Sequence, residues 1–270
     1  MRLERLLFLT ALPALVVFLA FWLLPVSRLV LVGASGPEGV AAYFAVLTND
    51  VYRTSLVNTV VLSAVSSLVS VAIAAIVGVY LQRREFPGKR AVVALLTFPL
   101  AFPGVVIGFL VILLAGRQGL IGQISEALGA EKIVFAYSLS GLFLGYLYFS
   151  IPRCVLTMMA AAEKLDPALE EAARSLGAGP LAVVRDVIVP GLTPALIASG
   201  AICFATSMGA FGTAFTLASR INVLPITIYN EFTNYANFAA AASLSLVLGV
   251  LTWLILMSAR SLSGQGSAAA

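Results

Sequence analysis

Long apolar stretches occupy most of the chain and are separated by short polar segments. Six of them have at least about the 20 residues with which a helix crosses the ~30 Å hydrocarbon core of a bilayer. Helices pair their backbone groups internally, as lipid requires. The pattern therefore predicts an all-α integral membrane protein, one transmembrane domain over residues 1–270, with spans at 6–32, 56–81, 91–115, 133–159, 192–217 and 236–259.

Two of these spans contain residues that are unusual inside a membrane. Pro152 and Arg153 interrupt the fourth span, which is still long enough to cross if Arg153 lies near its end. Pro13 and Pro25 fall in the first span, where neighbouring helices can accommodate a kink. The apolar run of the first span is too long for a signal peptide, so we expect this span to be retained.

The composition supports a membrane protein and narrows its chemistry. The 270 residues are 61% hydrophobic and 10% charged, whereas a soluble domain has about a quarter charged residues. No histidine is present, and Cys154 and Cys203 fall in apolar surroundings that suit small buried side chains. We therefore expect no metal site, disulfide or nucleic-acid partner, and a lipid bilayer around the chain.

The basic residues predict the orientation of the spans, because cytoplasmic loops carry an excess of lysine and arginine. Ten of the sixteen lie on one side of the predicted spans and four on the other. Both chain termini and the loop between the fourth and fifth spans are therefore expected in the cytoplasm. The ten are Arg2, Arg5, Arg83, Arg84, Lys89, Arg90, Lys164, Arg174, Arg185 and Arg260, and the four are Arg53, Arg117, Lys132 and Arg220.

This cytoplasmic loop, residues 163–190, is named the coupling loop here and contains the densest cluster of charges in the chain. Asp166 and Pro167 predict a helix start, with an acidic N-cap followed by proline in the first turn. Gly177 predicts its end in a left-handed conformation. A second helix is predicted from Pro180, and Pro190 and Pro194 are predicted to mark the return into the membrane.

The first loop helix has the features of a docking element for a soluble partner. Its small residues Ala172 and Ala173 would let another protein approach the backbone closely, and Glu171 and Arg174 would supply polar contacts. The alternative is an ordinary surface helix in which Glu171 and Arg174 form an intrahelical pair of a few tenths of a kcal/mol.

A longer pattern extends through this loop. Glu171-Ala172-Ala173 is followed after three residues by Gly177 and after nine more by Val187, any residue, Val189 and Pro190. This spacing resembles the signature of the inner-membrane permease subunits of binding-protein-dependent (type I) ABC importers. Valine stands at two positions where that family more often has isoleucine or leucine.

The resemblance implies a transport subunit of the bacterial inner membrane rather than an enzyme. Its partners would be two cytoplasmic ATPase subunits, a second permease chain, identical or homologous, and a periplasmic solute-binding protein. The chain lacks a Gly-rich phosphate-binding loop, so ATP and magnesium would be bound by the separate ATPase and no cofactor by this chain.

The solute path is predicted from the broken, partly polar stretch that begins at Ser207 in the fifth span. It resembles the Gly-x-Phe-Gly region of oxyanion, iron and polyamine permeases, with Ala210 at a position that is often acidic in those proteins. Tyr229 and Glu231 are expected at the outer mouth or facing the binding protein, where they would suit a cationic amine. The candidate path residues are Ser207, Met208, Phe211, Thr213, Tyr229 and Glu231.

Several solutes and functions remain open at this point. A polyamine such as putrescine or spermidine is the first expectation, with 2-aminoethylphosphonate, ferric iron, thiamine, sulfate and molybdate as alternatives. The rival classes are a secondary transporter or channel, which would show inverted repeats and a coupling-ion site, and a membrane scaffold without transport.

Overall fold

The computed structural model describes residues 12–217 and 221–267, and within these residues it contains helices and no β-strand. Among these residues, six helical stretches are long and apolar enough to cross a membrane, which confirms the predicted all-α fold. The third of them is Gly104–Ala127, which a short turn divides after Ala115. The helices are α1 Leu12–Gly33, α2 Gly39–Thr48, α3 Asp50–Arg83, α4 Lys89–Thr97, α5 Gly104–Ala115, α6 Leu120–Ala127, α7 Leu139–Glu163, α8 Pro167–Ser175, α9 Pro180–Met208, α10 Phe211–Leu217, α11 Leu224–Thr233 and α12 Phe238–Ser267.

Helix α7 is the centre of the packing. It lies against α3, α5, α9 and α10, and Leu142, Tyr146 and Met158 along its length are fully buried. The buried face of α3 consists mostly of small residues, which let two helix backbones approach closely. These residues are Ser55, Thr59, Ser63, Ser66, Ser67, Ser70, Ala74 and Gly78.

Gly78 marks the closest approach between α3 and α7. A Cβ atom at this position would lie 2.5 Å from the Cβ atom of Met158 and 3.1 Å from the carbonyl oxygen of Val155. Because backbone atoms and a Cβ atom cannot move aside as a flexible side-chain end can, alanine at this position would push the two helices apart.

We expect Gly78→Ala to destabilise the protein by about 1–3 kcal/mol through overpacking. Gly249 on α12 is the matched control, because no atom lies within 4 Å of the Cβ that alanine would add there. Gly249→Ala should be neutral or stabilise by up to about 1 kcal/mol through helix propensity. Thermal unfolding of the purified permease measures both, and equal shifts in the two variants would contradict the close approach.

The third predicted span is not one continuous helix. Residues 91–115 were predicted to form it, but α4 ends at Thr97, a 3₁₀ turn follows over Phe98–Ala101, and α5 begins at Gly104. Pro103 explains the break, because proline lacks an amide hydrogen and disfavours helical conformation in the residue before it. The apolar composition of the stretch conceals this break from hydropathy.

The fifth predicted span is also displaced. The prediction of 192–217 is wrong at both ends, since α9 runs without interruption from Pro180 to Met208 and α10 is a separate helix. Pro190 and Pro194 therefore do not mark a turn. A π-helical turn at Val184–Ile188 precedes Pro190. This local change in the hydrogen-bonding pattern accommodates a residue without an amide hydrogen in a helix that continues through it.

The fourth span runs from Leu139 to Glu163, so the expectation that Arg153 lies near its end is wrong. Arg153 lies ten residues before that end, about 15 Å along the axis. Its neighbour Cys154 is buried, as predicted, and so is Cys203 on α9. The two sulfur atoms lie 3.0 Å apart, a proximity that the sequence did not reveal.

Residues 6–11, the start of the first predicted span, lie outside the described residues. So do three of the basic residues on which the orientation prediction depends, Arg2, Arg5 and Arg220. The cytoplasmic placement of both termini stays a prediction.

Candidate functional site

Helix α8 of the coupling loop begins as its sequence predicts. The side chain of Asp166 accepts a hydrogen bond of 2.9 Å from the amide of Ala168, and Pro167 occupies the first turn. The N-cap satisfies one of the free amides at the start of the helix, and the negative charge is favourable beside the positive end of the helix dipole.

The end of α8 has a defined hydrogen-bonding pattern around Gly177. This residue has φ +87°, in the left-handed region that favours glycine. The amide of Gly177 donates to the carbonyl of Arg174 at 2.9 Å, and the amide of Ala178 donates to that of Ala173 at 3.0 Å. This pair of bonds is the Schellman motif. It reverses the chain and determines the angle at which α9 leaves α8.

The outer surface of the loop is both charged and apolar. Glu171 and Arg174 are exposed, as a docking role requires, and Ala173 is partly buried. Two leucines beside the glycine turn, Leu176 and Leu181, are 89% and 81% exposed. Contiguous exposed apolar side chains are typical of protein-binding surfaces, so these leucines extend the surface that was predicted for docking. Leu176, Leu181, Glu171, Ala172 and Arg174 are named the docking surface here.

The two leucines were not among the residues predicted to dock a partner, because the prediction considered only the small and charged residues of the first loop helix. The sequence does indicate their exposure, because a leucine stands on each side of the predicted chain reversal at Gly177. Pro190, a residue of the sequence signature, is exposed, but it lies in α9 after the π-helical turn rather than in a loop.

The acidic residue that anchors α8 is Glu170, not Glu171. Its carboxylate lies 2.6 Å from a guanidinium nitrogen of Arg83 at the end of α3 and 3.6 Å from that of Arg174. The same nitrogen of Arg83 donates to the carbonyl of Leu165 at 3.3 Å. Glu170 is 13% and Arg83 26% exposed, so this pair is partly shielded from water. It connects the coupling loop to the longest described membrane helix.

Neither member of this pair was singled out from the sequence. Both residues fall in loops that were predicted on the cytoplasmic side. This shared side was the only feature of the sequence that indicated an ion pair between them. The Glu171–Arg174 pairing considered as an alternative does not form, since Arg174 lies nearest to Glu170, one helical turn earlier.

A second candidate region lies where the two broken helices cross. The start of α10 packs against the start of α5, and the hydroxyl of Thr213 donates to the carbonyl of Gly104 at 3.0 Å. Thr216 donates to the carbonyls of Gly212 and Val105, at 3.0 and 3.3 Å. These bonds use carbonyl groups near the break and hold both helix starts together.

A cavity of about 370 Å³ opens beside this crossing. Arg153 lines it from α7, and one of its terminal nitrogens donates to the hydroxyl of Thr206 on α9 at 2.9 Å. The residues between α9 and α10, Gly209 and Ala210, form another part of its wall. Among the residues that the structure describes, no carboxylate lies within 4 Å of Arg153. No function was predicted for this residue from the sequence.

The structure separates the predicted path residues into two groups. Phe211 and Thr213 line the cavity, whereas Ser207 and Met208 do not and are fully buried among the helices. Thr213 is only 1% exposed as well, so Phe211 is the residue of this group that is open to the cavity. Tyr229 does meet Phe211, with ring centroids 5.3 Å apart. Tyr229 and Phe211 also line a neighbouring apolar cavity of about 730 Å³.

Glu231 does not face an open mouth. It is 9% exposed, and its carboxylate accepts a hydrogen bond of 2.9 Å from the hydroxyl of Tyr52 on α3. Its charge is thus directed into the helix packing, and the expectation that it attracts a cationic amine at the outer mouth loses its structural basis.

Six spans, a charged helical loop between the fourth and fifth, and broken helices around a cavity define a polytopic transport protein. The chain belongs to the family of binding-protein-dependent transport system inner membrane components, which it matches over residues 70–263. It is a multi-pass permease subunit of an ABC importer in the inner membrane, not an enzyme, as the coupling-loop signature predicted.

Known relatives agree with this assignment along nearly the whole chain. The chain is 33% identical to a probable molybdenum ABC transporter permease protein of Haloferax volcanii, over 89% of this chain and 85% of that protein. It is 31% identical to the sulfate transport system permease protein CysT of Salmonella typhimurium, over 90% and 87%. A chain from a crystal structure of a bacterial alginate ABC transporter, in complex with a periplasmic protein bound to an alginate pentasaccharide, shares its fold with a TM-score of 0.83 and 18% identity, over 97% of this chain and 95% of that one.

Proposed function

We propose that this permease imports a small tetrahedral oxyanion of the sulfate and molybdate class, delivered by a periplasmic binding protein and driven by ATP. In this proposal the docking surface of the coupling loop binds a cytoplasmic ATPase, which holds the ATP and magnesium. The pore is completed by a second permease chain, identical or homologous, that binds a second ATPase subunit.

The charge of Arg153 carries the choice of solute. A charged side chain within a transmembrane helix is costly unless it is paired or has a function. Of the fourteen described residues that line its cavity, none is acidic. The cavity is therefore electropositive, which attracts an anion and repels a polyamine.

The relatives named above also favour an anionic solute. Two of them are permeases for sulfate and for molybdenum, which is dissolved in water as the tetrahedral dianion molybdate. The polyamine expectation depended on Tyr229 and Glu231, and Glu231 is bonded to Tyr52 instead. A phosphonate shares the tetrahedral anionic group and remains the second candidate because Arg153 would accept it equally.

Uptake by the complete importer tests this proposal. Reconstituted with its own binding protein, ATPase and partner permease, the importer should accumulate radiolabelled sulfate or molybdate when ATP is supplied. Unlabelled tetrahedral oxyanions should compete with the label, and a large excess of spermidine should not.

Two results would contradict the proposal. Accumulation of labelled spermidine, with no inhibition by sulfate or molybdate, would assign a cationic solute. Accumulation without ATP would remove the role of the ATPase.

A further inference from the structure

We propose that the cavity around Arg153 is an oxyanion-binding site inside the permease, where the solute is held between release by the binding protein and entry into the cytoplasm. This site rests on the proposed function for the charge of its ligand. It adds a second point of recognition to the importer, located within the membrane and built from α5, α7, α9 and α10.

Arg153 lies far from both ends of α7, where it can bind a ligand inside the cavity rather than make a contact at the protein surface. At about 1.5 Å per residue, it lies roughly 21 Å from the first residue of α7 and 15 Å from the last. Arg153 is partly buried, and no carboxylate of the described residues lies within 4 Å of its guanidinium. A solute anion that enters the cavity supplies the missing counter-charge in a medium where such an attraction is stronger than in water.

The hydrogen-bond donors of the cavity also favour an oxyanion. The hydroxyl hydrogen of Thr206 is already donated to the carbonyl of Ile202 at 2.7 Å, and that of Thr213 to the carbonyl of Gly104. Neither threonine has a hydrogen left for a solute. Arg153 has five N–H donors and uses one of them on Thr206. Its remaining donors are therefore the polar hydrogens that the lining side chains offer.

Thr206 holds the guanidinium in place. Because its own hydrogen points to Ile202, its oxygen can only accept, and it does so from Arg153 at 2.9 Å. Thr206 is thus a positioning residue that fixes the direction of the charge. A planar guanidinium with free donors binds an oxyanion through two parallel hydrogen bonds. A single arginine gives modest affinity, which a transport intermediate needs because the ligand must also leave.

Direct binding tests the site separately from transport. The assembled importer, in lipid nanodiscs and without its binding protein, is titrated with radiolabelled sulfate, and molybdate is added as a competitor. We expect saturable binding that molybdate displaces. Arg153→Gln should weaken it about 10- to 100-fold through loss of a charge-assisted contact, and Arg153→Lys should weaken it less because the charge remains.

Matched variants distinguish the site from general damage. Thr206→Val should weaken binding several-fold, while Thr252→Val should leave it unchanged. Both threonines donate to the carbonyl four residues earlier, but only Thr206 also accepts from Arg153. Leu100→Asp places a carboxylate in the wall of the cavity without removing Arg153 and should abolish binding. If Arg153→Gln fails to assemble with its ATPase, the variant with the added carboxylate tests the site instead.

The possible outcomes separate the two proposals. If the importer takes up sulfate with its binding protein but shows no saturable binding without it, the internal site is refuted and the proposed function stands. Binding that is unchanged by both Arg153→Gln and Leu100→Asp also refutes the site. If no tetrahedral oxyanion is taken up at all, the proposed function itself fails.

Discussion

A permease with valine in place of Gly177 should recover far less ATPase during purification than the wild type, and its ATP-driven uptake should fall in parallel. Gly177 has φ +87°, which a β-branched residue adopts only with strain. Because α8 must keep its Schellman turn to fit the ATPase, a strain of about 1–3 kcal/mol corresponds to roughly 5- to 150-fold weaker docking. Co-purification of the subunits and uptake into proteoliposomes measure both effects.

Two further variants isolate the backbone effect. Gly177→Asn should be intermediate, because asparagine tolerates the left-handed region better than valine. Gly179→Ser should leave docking unchanged, since Gly179 has φ −71°, no atom lies within 4 Å of an added Cβ, and serine is favoured at this N-cap position. Normal ATPase recovery with Gly177→Val would refute the role of the turn.

Breaking the Arg83–Glu170 pair should uncouple ATP hydrolysis from transport while leaving the ATPase bound. The carboxylate and guanidinium are 2.6 Å apart and mostly shielded, so removal of one charge costs about 1.5–3 kcal/mol. In Glu170→Gln, α8 keeps its caps and its exposed docking surface but loses its charged link to α3. We expect about tenfold less uptake per ATP hydrolysed, measured together in proteoliposomes.

Charge reversal supplies the control for this link. Arg83→Glu alone should be as defective as Glu170→Gln, and combining it with Glu170→Arg should restore part of the coupling. Restoration stays incomplete because arginine is unfavourable in the first turn of α8, at the positive end of the helix dipole. Arg84→Met, next to the pair, should behave as wild type. Full coupling in Glu170→Gln would show that the pair does not transmit motion.

Local signals in the sequence were sufficient for α8. Asp166, Pro167 and Gly177 act on backbone groups one to five residues away, and these short-range interactions determine where the helix begins and ends. Hydropathy was likewise sufficient for the number of spans, because burial of an apolar segment in lipid depends on its composition and length.

Hydropathy and proline positions did not predict correctly where the membrane helices break. A window of apolar residues has the same hydropathy whether or not Pro103 interrupts it, so the break before α5 was not predicted. Pro190 and Pro194 led to the opposite error, because proline was taken to end a helix that a π-helical turn carries through to Met208. Glycine at 209 was a correct indication that the fifth span breaks before Phe211.

The sequence alone determined that the protein has six spans, a coupling helix with a glycine turn and the signature of an importer permease. The tertiary structure decided which side chains meet. Arg83 and Glu170 are 87 residues apart in the chain, and Arg153 and Thr206 are 53 apart. Caps, turns and hydropathy act over a few residues, whereas the partner of a charge is chosen by helix packing across the whole chain. The charge of Arg153 was visible from the start, but only packing showed that it faces a cavity without a carboxylate.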